Sequence, residues 1–96
     1  MKVRYTLEAL IHISAIHAFI DRRNPAAATR VVSRLRQATE DLAHFPERGR
    51  HGAVGGTREW EVKGLPYIIV YEITSEADEL AILGVYHGAQ LRPGQE

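Results

Sequence analysis

One histidine and three arginines are the side chains of this chain best suited to chemistry on a phosphate or a carboxylate. His87 ends an apolar run, and its imidazole can act as an acid or a base near neutral pH. Arg48, Arg50 and Arg58 can hold an oxyanion or pair with a carboxylate. His87 and Arg58 are the candidate catalytic residues, although His87 can equally bond the backbone of a strand end, and Arg58 a sheet neighbour such as Glu72.

The other histidines do not have the spacing of a metal site. His12 and His17 are five residues apart on one predicted helix, whereas a spacing of four places two ligands on one face. The chain has no cysteine, which excludes disulfides, a thiolate zinc site and a cysteine nucleophile. We therefore expect no metal and no cofactor.

The composition is that of one globular domain. The 96 residues are 45% apolar and 25% charged, and a chain of this size buries roughly 60–70% of its unfolded surface. Glu8, His12 and His17 interrupt the apolar N-terminal stretch at helical spacing, unlike the run of a signal peptide. We expect a single domain over residues 1–96 that is cytoplasmic and does not span a membrane.

The net charge of zero hides an asymmetry. Residues 1–50 hold nine Lys and Arg against five Asp and Glu, and residues 51–96 hold three against seven. Domains that bind nucleic acids usually have a basic excess, because phosphate contacts dominate their affinity. We expect no sequence-specific DNA binding by this chain alone.

The pattern of caps and apolar residues predicts a strand, two helices and three strands. Residues 3–5 can form a strand, and Thr6 can cap a helix that runs to about Arg23. Asn24 and Pro25 restart a helix that runs to about His44, and the short break predicts an antiparallel hairpin.

The second half of the chain completes the sheet. Residues 47–56 are rich in glycine and arginine and indicate a loop, and strands are predicted at 57–63, 67–74 and 80–86. The β-α-α-β-β-β order predicts an α+β fold, in which a small twisted antiparallel sheet carries the helical hairpin on one face.

The first helix has two apolar faces. Its core stripe comprises Ala9, Ile13, Ile16 and Ile20, flanked by Phe19. The opposite side also carries apolar residues, namely Leu7, Ile11, Ala15 and Ala18. A lone surface helix does not normally expose such a second face, so we expect another element to cover it.

The segment over residues 65–93, LPYIIVYEITSEADELAILGVYHGAQLRP, resembles the closing hairpin of the RelE/ParE family of small prokaryotic toxins. Two apolar runs flank an acidic turn, and the second run ends in His-Gly-Ala. The likeness extends upstream through the Pro-Glu-Arg-Gly loop and the paired helices. It implies the toxin of a type II toxin-antitoxin pair, neutralised by a separately encoded antitoxin in a hetero-oligomer.

Two branches of this family differ in their targets. In the branch that cleaves mRNA on the ribosome, an arginine usually precedes the apolar-Tyr segment and a tyrosine follows the terminal histidine. Here Ile68 and Gly88 occupy those positions. The His-Gly-Ala ending is similar to that of the ParE branch, which often continues with arginine where this chain has Gln90.

The resemblance to the ParE branch implies a toxin that inhibits DNA gyrase by binding, without chemistry of its own. The first alternative is a ribosome-dependent mRNA endonuclease in which His87 and Arg58 perform acid-base catalysis and stabilise phosphate. The second, suggested by Gln90, is a degenerate, non-toxic homologue that only binds antitoxin.

The resemblance also suggests which residues meet each partner. The expected target-binding residues, near the open side or the C-terminal edge of the sheet, are Arg58, His87, Gln90 and Arg92. The second apolar face of the first helix is expected to bind an antitoxin helix, through Leu7, Ile11, Ala15, Ala18 and Arg22.

Overall fold

The computed structural model of this chain describes residues 1–95 and shows two α-helices and five strands within that range. In chain order the elements are β1 (Lys2–Tyr5), α1 (Leu7–Asp21), α2 (Pro25–His44), a 3-10 turn (Pro46–Arg48), β2 (Arg50–His51), β3 (Thr57–Glu61), β4 (Tyr67–Thr74) and β5 (Glu79–His87). The helical hairpin and the three later strands are present as predicted. The first helix ends two residues before its expected end.

Both helices begin at the side-chain caps that the sequence predicted. The Thr6 hydroxyl accepts a hydrogen bond from the Ala9 amide at 3.2 Å, and the side-chain oxygen of Asn24 accepts one from the Ala27 amide at 3.1 Å. These caps satisfy backbone donors that have no partner within the first helical turn. Pro25 follows at the first helical position, where its missing N–H costs nothing.

The strands form one mixed sheet in the order β1-β5-β4-β3-β2. β4 pairs antiparallel with β3 and β5, and β2 pairs antiparallel with β3, whereas β1 lies parallel to β5. The predicted α+β class, with the helical hairpin on one sheet face, is confirmed. Two details differ from expectation: the edge pair β1–β5 is parallel, and the short strand β2 lies within the predicted loop.

The core lies between the helical hairpin and one face of the sheet. Both helices and the sheet contribute its buried side chains, which are Ala9, Ile13, Leu35, Ala38, Leu42, Val62, Ile69, Tyr71, Leu80, Ile82 and Val85. The predicted core stripe of α1 is confirmed for Ala9 and Ile13, and Ile16 packs against the same cluster. The other apolar side of α1 is left uncovered by the rest of the described chain.

Tyr71 ties the loop after α2 to the sheet. Its fully buried hydroxyl donates a hydrogen bond to the Pro46 carbonyl at 2.7 Å and accepts one from the Gly49 amide at 2.9 Å. Arg58, which is opposite Tyr71 in the β3–β4 register, donates to the carbonyls of Glu47 at 3.2 Å and Gly49 at 2.7 Å. Gly49 has no space for a side chain, since a Cβ there would lie 2.8 Å from a carbonyl oxygen of β3.

A β-bulge in β5 reverses which of its residues face the helices. The pairing partners of Val70 and Tyr71 are Gly84 and Ile82, which leaves Leu83 as an extra residue. Up to this point the even-numbered residues of β5 face the helices, and beyond it the odd-numbered residues do. Every side chain after the bulge therefore lies on the face opposite to the one that uninterrupted alternation predicts.

Helix α1 and its cap brace this bulge. The Thr6 hydroxyl donates a hydrogen bond to the Ile82 carbonyl at 2.8 Å, and the Thr6 amide donates to the same oxygen at 3.1 Å. Beyond the end of β1, the Val85 amide donates to His12 Nδ1 at 3.1 Å. The His12 ring in turn lies edge-on to Tyr86, with centroids 4.8 Å apart. Side chains of α1 thus replace the neighbouring strand that β5 lacks at this point.

We predict that Tyr71→Phe destabilises the fold. The substitution removes one donor and one acceptor from a buried loop and leaves the Gly49 amide and the Pro46 carbonyl without their partner. Loss of such buried hydrogen bonds costs about 1–3 kcal/mol, which chemical denaturation can measure as a loss in the free energy of unfolding.

Tyr67→Phe is the matched control. Tyr67 is on the same strand and face, but its hydroxyl makes no hydrogen bond with residues 1–95. Its loss should change the unfolding free energy by less than about 0.5 kcal/mol. Equal effects of the two substitutions would contradict the role given to the Tyr71 hydroxyl.

Candidate functional site

His87 lies at the exposed end of β5, in a tight turn. Its Nδ1 accepts a hydrogen bond from the Ala89 amide at 3.1 Å, and its ring meets Tyr67 edge-on with centroids 5.8 Å apart. Because Nδ1 accepts a hydrogen bond, the proton of the neutral ring is on Nε2. In this geometry neutral His87 presents a hydrogen-bond donor to the solvent, and it can act as a base through Nε2 only if the bond to Ala89 is lost.

Gln90 closes the same turn. Its side-chain oxygen accepts a hydrogen bond from the His87 amide at 2.6 Å, and its own amide donates to the His87 carbonyl at 2.9 Å. An arginine has no acceptor and cannot form the first of these bonds. Gln90 therefore has a structural task in this loop, although the residue as a whole is exposed.

Arg58 and His87 lie on either side of β4, Arg58 opposite its middle and His87 opposite its first residue. Arg58 pairs with Tyr71 and His87 pairs with Tyr67, so the two are separated by four residues, or roughly 13 Å, along the strand. Arg58 bonds loop carbonyls and not Glu72, the sheet neighbour expected as its partner.

Of the two expected positions, the open side of the sheet is wrong for both residues, whereas His87 does lie at the C-terminal end of β5. Their partners Tyr71 and Tyr67 face the helices, and residues paired across strands share a face. Strict alternation would have placed His87 on the open face, but the bulge at Leu83 turns it to the helical side. His87 is exposed because it lies at the end of the strand.

Arg92 is buried, although the sequence predicted it as a target-binding residue. It is 9% exposed, and its Nε lies 3.1 Å from Oε1 of Glu59, which is 5% exposed. Glu59 pairs with Val70 and therefore lies on the face opposite to the helices. The chain after β5 turns back over this face, so the guanidinium of Arg92 is directed into the protein and away from any partner.

The outer side of α1 is more apolar than the sequence indicated. Leu7 and Ile11 are 74% and 57% exposed, and Ala15, Ala18 and Arg22 are exposed as well. Leu10 and Phe19, 46% and 62% exposed, extend the surface on either side. The helical projection predicted that Phe19 flanks the core stripe. A residue at that margin becomes exposed if the helix is rotated slightly about its axis relative to the projection. We call these seven residues the α1 surface.

A cavity of about 420 Å³ connects the α1 surface with the His87 turn. Ala15, Ile16 and Phe19 line it from the helix, and Tyr67 and Val85 from the sheet, with polar groups contributed by His12, His87 and Gln90. Sequence reasoning did not bring these residues together, because the bulge that turns Val85 and His87 towards α1 has no signal in the spacing of apolar residues.

The other two candidate arginines are engaged with protein groups. Arg50 lies 3.4 Å from a carboxylate oxygen of Glu59 and 3.6 Å from one of Glu61. The guanidinium of Arg48 stacks between the rings of Phe45 and Trp60, at 5.2 and 5.3 Å from their centroids. Neither is adjacent to the His87 turn.

Burial keeps the tyrosines of the sheet in their neutral form. Burial raises the pKa of Tyr67, and it raises the pKa of Tyr86 together with the negative charge of Glu8. Burial also raises the pKa of Tyr71, against the opposing influence of the Gly49 hydrogen bond and of nearby arginines. Tyr67, the neighbour of His87, is therefore a neutral phenol at physiological pH and not a base.

Within residues 1–95 there is no group of three or more His, Cys, Asp or Glu side chains that could hold a metal ion. In the same range no helix combines the length and the apolar character needed to cross a membrane.

Comparison with known proteins relates nearly the whole chain to one family. Residues 3–92 match the family model described as the ParE toxin of the type II toxin-antitoxin system, parDE. The chain is 40% identical over 92 residues to the Y4kP protein of Sinorhizobium fredii, covering 96% of this chain and 93% of that protein. It is also 40% identical over 91 residues to toxin RelE2 of Caulobacter vibrioides, covering 94% and 98%.

The fold is similar to a solved structure from a chromosomal ParDE toxin-antitoxin system of P. aeruginosa. The TM-score is 0.80 at 20% sequence identity, and the alignment covers 91% of this chain and 95% of that one. This likeness shows a common fold.

We predict that the free energy of unfolding falls as the pH rises above about 10, the ordinary tyrosine pKa. The folded chain holds the protons of Tyr67 and Tyr86 more tightly than the unfolded chain does. The stability linked to this difference is therefore complete below pH 10 or so, and is lost as the pH rises through the raised pKa values. Denaturation at several alkaline pH values should show a shallower decline for Tyr86→Phe, and an unchanged slope would contradict the assignment.

Proposed function

The chain belongs to the ParE toxin family of type II toxin-antitoxin systems, and from this premise we propose that it arrests growth by binding DNA gyrase. It acts without chemistry of its own, and a cognate antitoxin neutralises it in a cytoplasmic hetero-oligomer. The surface that meets gyrase comprises the turn from His87 to Gln90.

The observation that carries this proposal is the separation of the groups a nuclease needs. An mRNA endonuclease has to move protons and stabilise negative charge on the phosphate. The Nδ1 lone pair of His87 already accepts the Ala89 amide, and the guanidinium of Arg58 is bonded to loop carbonyls roughly 13 Å away along β4. An exposed, rigid turn without an assembled catalytic pair is better suited to binding.

The bonds of Gln90 favour an active toxin over a degenerate homologue that only binds antitoxin. Its side chain accepts the His87 amide at 2.6 Å, so glutamine at this position fixes the turn in a way that arginine cannot. Glutamine in place of the arginine of the family pattern therefore removes a positive charge but adds a hydrogen bond that orders the loop. Because Gln90 is exposed, its side-chain NH2 group can still donate a hydrogen bond to a target.

The α1 surface is the proposed antitoxin site. It exposes Leu7, Leu10, Ile11 and Phe19 along one helix, with Arg22 at the end. Apolar residues at this spacing suit an amphipathic partner helix that places its own apolar anchors between them. The cavity beside Ala15 and Phe19 offers such an anchor a partly enclosed position.

We predict that Ile11→Asp weakens antitoxin binding strongly and leaves the fold intact. Ile11 is 57% exposed in the free chain, so aspartate is tolerated there, but burial of an unpaired carboxylate under a partner costs several kcal/mol. Calorimetric titration with the cognate antitoxin measures the effect.

Phe45→Asp is the control for Ile11→Asp. Phe45 is 62% exposed and apolar, but it lies after α2 and outside the α1 surface. We expect its antitoxin affinity to remain within about threefold of the original value. Equal losses in the two variants, or an unchanged affinity of Ile11→Asp, would show that the antitoxin binds elsewhere.

We predict that purified protein causes gyrase to accumulate cleaved DNA and leaves mRNA intact in a translating extract. His87→Ala should reduce the gyrase effect and the growth inhibition in cells. Because His87 is exposed, its loss should lower the melting temperature by no more than a few degrees.

The opposite outcome identifies the alternative function. Codon-spaced cuts in translated mRNA that disappear in His87→Ala would establish a ribosome-dependent endonuclease and refute gyrase as the target. Absence of both activities and of growth inhibition would establish a homologue that only binds antitoxin.

A further inference from the structure

The chain after β5 crosses the sheet face that the helices leave free. Arg92 reaches Glu59 of β3, and Gly94 lies against Ala53 and Val54 in the turn between β2 and β3. Within the segment, the Arg92 amide donates a hydrogen bond to the side-chain oxygen of Gln95 at 3.1 Å, which fixes the local turn. Terminal segments are usually poorly ordered unless a contact ties them down.

The contact that ties this segment down is the ion pair between Glu59 and Arg92. Both side chains are at least nine-tenths buried, with a Nε to Oε1 distance of 3.1 Å. Removal of Glu59 leaves the buried guanidinium of Arg92 without a counter-charge, and removal of Arg92 leaves the segment without its ion pair to the sheet, so either change favours release of the segment. Arg50 also reaches Glu59, at 3.4 Å, but it is half exposed and forms no ion pair or hydrogen bond with the described residues of the C-terminal segment.

The ion pair fixes the far end of the loop from His87 to Leu91. The near end is fixed by β5, and the interior by the bonds between His87 and Gln90. The loop thereby holds Leu91 68% exposed, directly beside an anchored residue. An ordered loop binds a partner with a smaller loss of conformational entropy than a mobile one.

We propose that Glu59 and Arg92 form a clasp that positions the loop from His87 to Leu91 for target binding. Arg92 then acts through Glu59 and does not touch the target. This inference rests on the proposed function, in that the loop is the surface that meets the target, and it does not depend on whether that target is gyrase. Glu59 and Arg92 are positioning residues, and the exposed Leu91 is a further contact residue that the clasp presents.

Two measurements on the full chain test the clasp. Hydrogen exchange followed by mass spectrometry reports the order of residues 88–95, and induced expression without antitoxin reports growth inhibition. In Glu59→Gln and in Arg92→Gln we expect exchange in this segment to rise roughly tenfold and inhibition to fall by a similar factor. The double variant should be no more affected than either single variant, since both remove the same contact.

Arg50→Gln is the matched control. It removes a cation from the same carboxylate but leaves the contact between Glu59 and Arg92 in place. Exchange and inhibition should both stay within about twofold of the original values. Leu91→Ala should lower inhibition without any change in exchange, because it removes the presented side chain and keeps the clasp.

Three results would overturn the proposal. Loss of inhibition in Arg92→Gln without faster exchange would show that Arg92 contacts the target itself. The proposal is also overturned if Glu59→Gln inhibits growth normally, or if the segment is released and inhibition persists, since the clasp would then not be needed for target binding. If Glu59→Gln does not fold, Arg92→Met tests the same ion pair, because it removes the cation and leaves Glu59 in place. Failure of the gyrase proposal appears separately, as an absence of cleaved DNA with the unmodified protein.

Discussion

The bulge at Leu83 is the constraint on which the arrangement of this protein depends. One extra residue in β5 lets Leu80 and Ile82 pack under the helices and still turns Val85 and His87 to the same side. The distortion is held in place by Thr6, which caps α1, and by His12, which accepts the amide of Val85. The start of α1, the register of β5 and the position of the His87 turn are thus one connected structure.

The sequence predicted the features that follow from local chemistry. Thr6 and Asn24 marked the helix starts, because their side chains satisfy amides of the first turn, and the period of apolar residues identified the core side of α2. It did not predict the face of His87, since alternation carries no signal for a bulge. The parallel edge pairing of β1 and the burial of Arg92 depend on contacts distant in sequence, which local patterns do not encode.

Although the net charge of the chain is zero, three arginines near the sheet stabilise its loops and its C-terminal segment. Arg58 fixes the loop after α2 through backbone carbonyls, Arg92 anchors the C-terminal segment, and Arg48 stacks between two aromatic rings. In each case a guanidinium that could have held a phosphate orders the protein instead. This use of charge fits a toxin that presents a rigid surface to a protein target better than one that captures RNA.

We propose that the turn at the end of β5 meets gyrase as a preformed surface. The most direct measurement is a hydrogen-exchange footprint of the unmodified protein with purified gyrase, and in parallel with ribosomes. We expect gyrase to slow exchange at residues 87–91 and to leave exchange in the loop after α2 unchanged, and we expect ribosomes to have no effect. Protection by ribosomes, or protection by gyrase confined to residues outside this turn, would contradict it.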